Sequence, residues 1–108
     1  MNKQQIINNN KRKYLDWGFL DKQNAVKIHG SENKEHFMKK AEICFDLKRA
    51  GKTFLTEAKL KGNKFIPDVL VIDQEPMIAI EIMNSESEES IEKKKQQYDG
   101  IVIQTIRL

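Results

Sequence analysis

Two apolar runs broken by Asp73-Gln74-Glu75-Pro76 constrain this chain most. They span residues 66–85, IPDVLVIDQEPMIAIEIMNS. Each run is rich in Val and Ile and reads as a buried strand. The break is short and carries a proline, so the two runs are expected to form an antiparallel hairpin. A symmetric loop centred on Gln74 and Glu75 pairs position 73 with 76, 72 with 77, and so on outward. That register sets Asp68 opposite Glu81. Side chains opposed in this way have Cβ atoms about 4.5–5.5 Å apart, and like charges there repel. Two acids within apolar strands are costly unless positive charge lies between them. A divalent cation is the simplest candidate, because hard cations take carboxylate and carbonyl oxygens at about 2.0–2.6 Å. Two other readings stay open. Either acid can sit at a strand end in water or pair with a lysine, and a one-residue slip would turn Asp68 to the opposite face.

The rest of the chain supplies partners for this hairpin. Asn8-Asn9-Asn10 reads as a polar break. Lys11, Arg12 and Lys13 follow, leading through Tyr14 to Leu15, Trp17, Phe19 and Leu20. Basic residues beside aromatics suit a nucleic-acid backbone or a partner contact. The same pattern suits an arm or short helix whose aromatics cover an open core edge. Residues 1–30 are therefore taken as an N-terminal extension and residues 31–108 as the main domain. Residues 25–28 are expected to be a short extended piece. Ser31 or Asn33 can cap a helix that runs to about Ala50, with Gly51 as its stop. Phe37, Ala41, Cys44, Phe45 and Leu47 or Lys48 give that helix one buried stripe.

Residues 53–60 read as a strand and Lys61-Gly62-Asn63-Lys64 as a turn. The hairpin strands follow, roughly 65–72 and 77–83. A second helix is expected from about Glu88 to Tyr98, with capping-box spacing between Ser85 and Glu88. Residues 101–108, IVIQTIRL, form a last strand. It follows a crossover helix, so it should lie parallel to its neighbour. The order is helix, three strands, helix, strand: an α/β domain with a small mixed sheet flanked by helices.

With 39% hydrophobic and 32% charged residues, the 108-residue chain has the composition of one soluble globular domain. A net charge of +3 and a pI near 9.0 are compatible with a nucleic-acid partner without requiring one. No apolar run approaches the roughly 20 residues of a membrane span. The opening MNKQQIINNN lacks the apolar core of a secretory signal, so a cytoplasmic protein without membrane contact is expected. The single cysteine, Cys44, excludes an internal disulfide and a Cys-based zinc site. Its place on the helix stripe marks it as a small core residue.

The element order, together with Pro67-Asp68 and then Glu81-Ile82-Met83, resembles the core of the PD-(D/E)xK nuclease superfamily. That group includes restriction endonucleases and Holliday-junction resolvases. The resemblance covers residues 33 to 108 and implies a restriction-endonuclease-like αβββαβ core. Within the superfamily the chain looks most like CoiA-type proteins. Glu35-His36-Phe37-Met38-Lys39 is similar to their acid-His-x-x-Lys element. Glu81-Ile82-Met83-Asn84-Ser85 is similar to their Glu-x-Gln-x-Ser element, and Lys94 and Tyr98 fit their basic residue four before a Tyr. The chain departs from the superfamily at Met83, where the motif lysine of ExK stands.

The resemblance implies a deoxyribonuclease that hydrolyses phosphodiester bonds with Mg²⁺ or Mn²⁺. Asp68, Glu81 and the backbone carbonyl of Ile82 would hold the ion. The ion lowers the pKa of a bound water and neutralises charge growing on the phosphate. Glu35 or Glu42 would add a ligand or orient water, and Lys94 or Lys39 would replace the motif lysine, with Lys93 as a register alternative. Glu57 reads as structural unless strand alternation turns it inward. His36 could coordinate metal or shuttle a proton, or act as an ordinary hydrogen-bonding residue; His29 has no supporting neighbours. Lys93, Lys94 and Lys95 are a solvated helix face or a grip on the DNA backbone. The expected partners are DNA and a second copy of the chain, since two-fold pairing matches duplex symmetry. The runner-up is a nucleic-acid-binding or assembly module that has lost its chemistry. A third reading is a plain structural domain whose acids pair with lysines.

Overall fold

A computed structural model describes residues 1–16, 21–62, 66–84, 92–93 and 100–108. Along the chain lie α1 (Lys3–Tyr14), α2 (Lys34–Arg49), β1 (Phe54–Thr56), β2 (Val69–Val71), β3 (Ile78–Met83) and β4 (Val102–Arg107). The strands form one sheet in the order β1-β2-β3-β4. The first two pairings are antiparallel and the last is parallel, giving the small mixed sheet expected. Of the expected second helix, Glu92 and Lys93 are helical; the rest of it, Lys94 and Lys95 included, lies outside the described residues.

Strand alternation divides the core into two layers. Leu55, Leu70, Ile72 and Ala79 point to the side where Ile7 and Leu15 pack. Phe54, Val69, Val71, Ile80 and Ile82 point to the side of Ile43 and Cys44 on α2. The two helices thus cover opposite faces of the sheet. The hairpin pairs Val69 with Ile80, Leu70 with Ala79 and Val71 with Ile78, the register that the symmetric loop required. The pairing ends at Val69 and Ile80, and Asp68 is a bend residue just outside it.

Three sequence expectations need correction. The asparagine run is no break: it lies inside α1. Asparagine is a poor helix former, and short helices take their stability mostly from packing. Here a capping box between Asn2 and Gln5 starts the helix. Ile7 then enters the core, and the Asn10 side-chain amide donates to the carbonyls of Ile72 and Gln74, both at 2.9 Å. The first helix is therefore packed on the sheet through Ile7, Asn10 and Leu15. Leu15 even forms an antiparallel bridge with Leu60.

Second, the strand expected over 53–60 is only Phe54–Thr56, because Glu57 takes a left-handed φ of +55° and turns the chain. The extended piece at 25–28 runs beside this strand without joining it. Thr56 Oγ1 donates to the Ala25 carbonyl at 2.7 Å and accepts from the Lys27 amide at 3.0 Å.

Third, the buried stripe of α2 is rotated by about one residue from the expected one. Lys40, Ile43 and Cys44 are buried, whereas Phe45 is 61% exposed. Phe45 instead lies under Arg49, whose guanidinium is 5.8 Å from the ring centre. Asn33, not Ser31, is the cap, accepting from the His36 amide at 2.8 Å. Gly51, at φ +76°, ends the helix as expected.

Candidate functional site

The one-residue rotation of α2 decides which side chains reach the acid end of the hairpin. Positions 32, 36 and 40 are spaced by four and line one side of the helix start. They carry Glu32, His36 and Lys40. Lys40 is 0% exposed, yet its ammonium contacts the Glu32 carboxylate at 2.8 Å and the Glu57 carboxylate at 3.1 Å. Glu32 is itself 1% exposed on its side chain. It accepts from Lys40 and from the His29 amide on one oxygen, and it meets His36 Nδ1 with the other. His36 Nε2 then lies 3.3 Å from Asp68 Oδ1. The left-handed φ of Glu57 turns its carboxylate to Lys40, so a local backbone strain serves this cluster.

These contacts shift the charged groups. Burial pushes the Glu32 carboxyl up, but the hydrogen bonds from Lys40, His36 and His29 outweigh it and hold the group below its usual range. Burial pushes the Lys40 ammonium down, but Glu32 and Glu57 outweigh that and raise it. Both groups therefore stay charged at neutral pH although they are out of water. Both ring nitrogens of His36 face carboxylates.

Asp68 is fixed from two sides. Its Oδ2 accepts the Ile82 amide at 2.8 Å across the hairpin, and its Oδ1 faces His36. A cleft of about 350 Å³ opens beside it, with His29, Glu32, His36, Glu57 and Ile66 among its lining residues. Glu81 is buried, at 6% exposed, and is not among the described residues that line this cleft. Met83 lies at 1% exposed in the core.

Comparisons with family models, with curated proteins and with solved structures give no match to this chain. The residues themselves carry what can be said of a cofactor. Among the described residues, no group of three or more His, Cys, Asp or Glu side chains is arranged to hold a metal ion. The Asp68 carboxylate, the Ile82 carbonyl and the carboxylate of Glu81, next to Ile82 on β3, are nonetheless hard-oxygen donors. Mg²⁺ commonly takes one or two carboxylates and completes its shell with water and substrate oxygens. Each Asp68 oxygen, with one partner already, keeps a lone pair for a second.

The remaining candidates lie elsewhere. Glu35, Lys39 and Glu42 line a separate outer hollow with Met38 and Leu108, and Lys39 pairs with Glu42 at 3.7 Å. Lys93 is exposed. On α1, Arg12 and Lys13 are exposed, while Lys11 is buried with its ammonium 2.6 Å from the Gln23 side-chain oxygen. Glu32 and Lys40 were not singled out in the sequence. Their signal was present: both lie four residues from His36, and Lys40 is three residues before Ile43 on the buried stripe.

No helix among the described residues is long and apolar enough to cross a membrane.

Proposed function

We propose that this domain is a metal-dependent phosphodiester hydrolase acting on DNA, in the manner of the PD-(D/E)xK nucleases it resembles. The observation that supports the reading is Asp68, which accepts the Ile82 amide across the hairpin and sits at the edge of a polar cleft. Asp68, Glu81 and the Ile82 carbonyl would hold Mg²⁺ or Mn²⁺, which supplies an activated water and neutralises phosphate charge when bound. The chain's own part is to orient. The Ile82 amide and His36 keep the Asp68 carboxylate in one rotamer. Arg12 and Lys13 offer exposed positive charge for a phosphate backbone, and a second copy would complete a two-fold match to duplex DNA. The ammonium that Met83 cannot supply falls to Lys94, in preference to Lys39, which is paired on the outer hollow.

The experiment is thermal melting with and without Mn²⁺, on the native chain and on Asp68→Ala. At a concentration about 100 times its dissociation constant, the ion should stabilise the native chain by about 2.7 kcal/mol and the variant by far less. An unchanged melting curve for the native chain sinks the proposal. Plasmid cleavage by the native chain and by Lys94→Ala then reads the chemistry. Met83, sealed in the core, favours a second reading: a nucleic-acid-binding module without hydrolysis. Retention of a labelled duplex with no cleavage in Mg²⁺ or Mn²⁺ selects it.

A further inference from the structure

The Asp68 carboxylate touches His36, but what holds His36 in place lies further in. A histidine at the edge of a cleft can rotate about two side-chain bonds. Here one ring nitrogen is tied to Glu32, a carboxylate with almost no access to water. Glu32 in turn is tied to the ammonium of Lys40, which is wholly enclosed. Lys40 has a second carboxylate, Glu57, whose left-handed backbone aims it inward. The chain of contacts runs from Glu57, just after β1, through Lys40, Glu32 and His36 to Asp68, the residue before β2.

We propose that Lys40 and Glu32 are positioning residues that set the rotamer of Asp68 through His36. Neither touches Asp68. They act by leaving His36 one orientation, with Nε2 on Asp68 Oδ1, while the Ile82 amide holds the other oxygen. The inference rests on the reading of Asp68 and Glu81 as a cation site, because it gives the fixed carboxylate its use. Outer partners of metal-binding carboxylates and histidines commonly change metal affinity by about 10–100-fold when removed.

The test uses the full chain with Glu32→Gln, which keeps the shape of Glu32, and with Lys40→Met. Carbon-13 carboxyl and nitrogen-15 ring spectra, recorded without metal, follow Asp68 and His36; the signals are assigned with Asp68→Asn and His36→Gln. Calorimetry follows Mn²⁺. The expected result is that the Asp68 carboxyl signal moves in both variants, and that the Mn²⁺ dissociation constant rises about 10–100-fold. If Lys40→Met does not fold, Glu32→Gln decides. An Asp68 signal that stays in place in folded Glu32→Gln overturns the relay. A signal that moves while Mn²⁺ affinity stays at the native value also overturns it as a positioning device for the site. If the native chain takes no Mn²⁺, the cation reading fails by itself, and the carboxyl spectra still decide whether the relay exists.

Discussion

The two ends of the β2–β3 hairpin bury polar groups in opposite ways. At the turn end, α1 brings Asn10 to the carbonyls of Ile72 and Gln74. These are neutral groups, and two of the three are backbone. Among the described residues a single charge pair lies there, Lys3 with Asp73 at 3.4 Å, and it opens to solvent through Lys3 while the Asp73 side chain is 5% exposed. At the acid end, α2 and the residue before its cap gather an enclosed ammonium, an enclosed carboxylate and the imidazole that meets Asp68. Neutral anchoring is a cheap way to seat a helix. Burying full charges costs several kcal/mol per ion before pairing offsets it, and well-packed apolar groups often do as well or better. The turn end is what a domain needs to fold. The acid end holds more enclosed charge than folding asks for, and that excess is the physical ground for the function proposed there.

The largest expected effect tests this directly. Lys40→Ala leaves Glu32 and Glu57 without their shared ammonium and should cost about 3–5 kcal/mol, read by urea or thermal unfolding. Replacing the two enclosed groups, as Lys40→Met with Glu32→Leu, should recover part of that loss, because their attraction and desolvation cost disappear together while Glu57, 16% exposed, is left to the cleft. If the double variant is as unstable as Lys40→Ala, the charges are there for stability and the contrast between the two ends collapses.

Asn10→Ala is the matching experiment at the turn end. It strands two carbonyls and should cost about 1–3 kcal/mol. No apolar substitution at Asn10 should recover this, since the groups left behind belong to the backbone and cannot be replaced. Mn²⁺ affinity, if present in the native chain, should be unchanged by Asn10→Ala at temperatures where the variant is folded. A loss of Mn²⁺ binding equal to that of Asp68→Ala would show that the two ends are not separable.

The same contrast explains what the sequence made legible. The hairpin register could be read because two apolar runs about a short symmetric loop leave few ways to keep their faces buried. The parallel last strand followed from its crossover. The partners of Asp68 could not be read with equal ease. Along α2, stripes one residue apart share Cys44 and Leu47, so apolar spacing alone does not choose between Phe37-Ala41-Phe45 and His36-Lys40-Ile43. The sheet chooses, and it takes a lysine inward and leaves a phenylalanine out. Composition argues against that choice until Glu32 and Glu57 are in view, and their approach depends on a cap and a left-handed residue far apart in the chain. Asn10 is the parallel case on α1: local propensity spoke for a break, and two distant carbonyls overrode it.

The smallest effects are in pH, and they separate the ends without removing either. Glu32 is held below its ordinary value of 4.5, so its stabilising contribution is present above about pH 4.5 and is lost as pH falls through the folded value. Lys40 is held above 10.5, so its contribution is present below that pH and is lost as pH rises through the folded value. Cys44 adds an earlier alkaline slope. Burial pushes its thiol from 9.0 to about 11, so stability should fall between those two pH values as the unfolded chain ionises first. Melting temperatures measured from acid to alkaline pH should then show three distinct responses. Cys44→Ala removes the slope that begins near pH 9.0 and keeps the one that begins near pH 10.5. The Lys40→Met with Glu32→Leu variant flattens the acid edge and the later alkaline edge. Asn10→Ala lowers the whole curve and leaves its shape alone, because what it removes carries no charge.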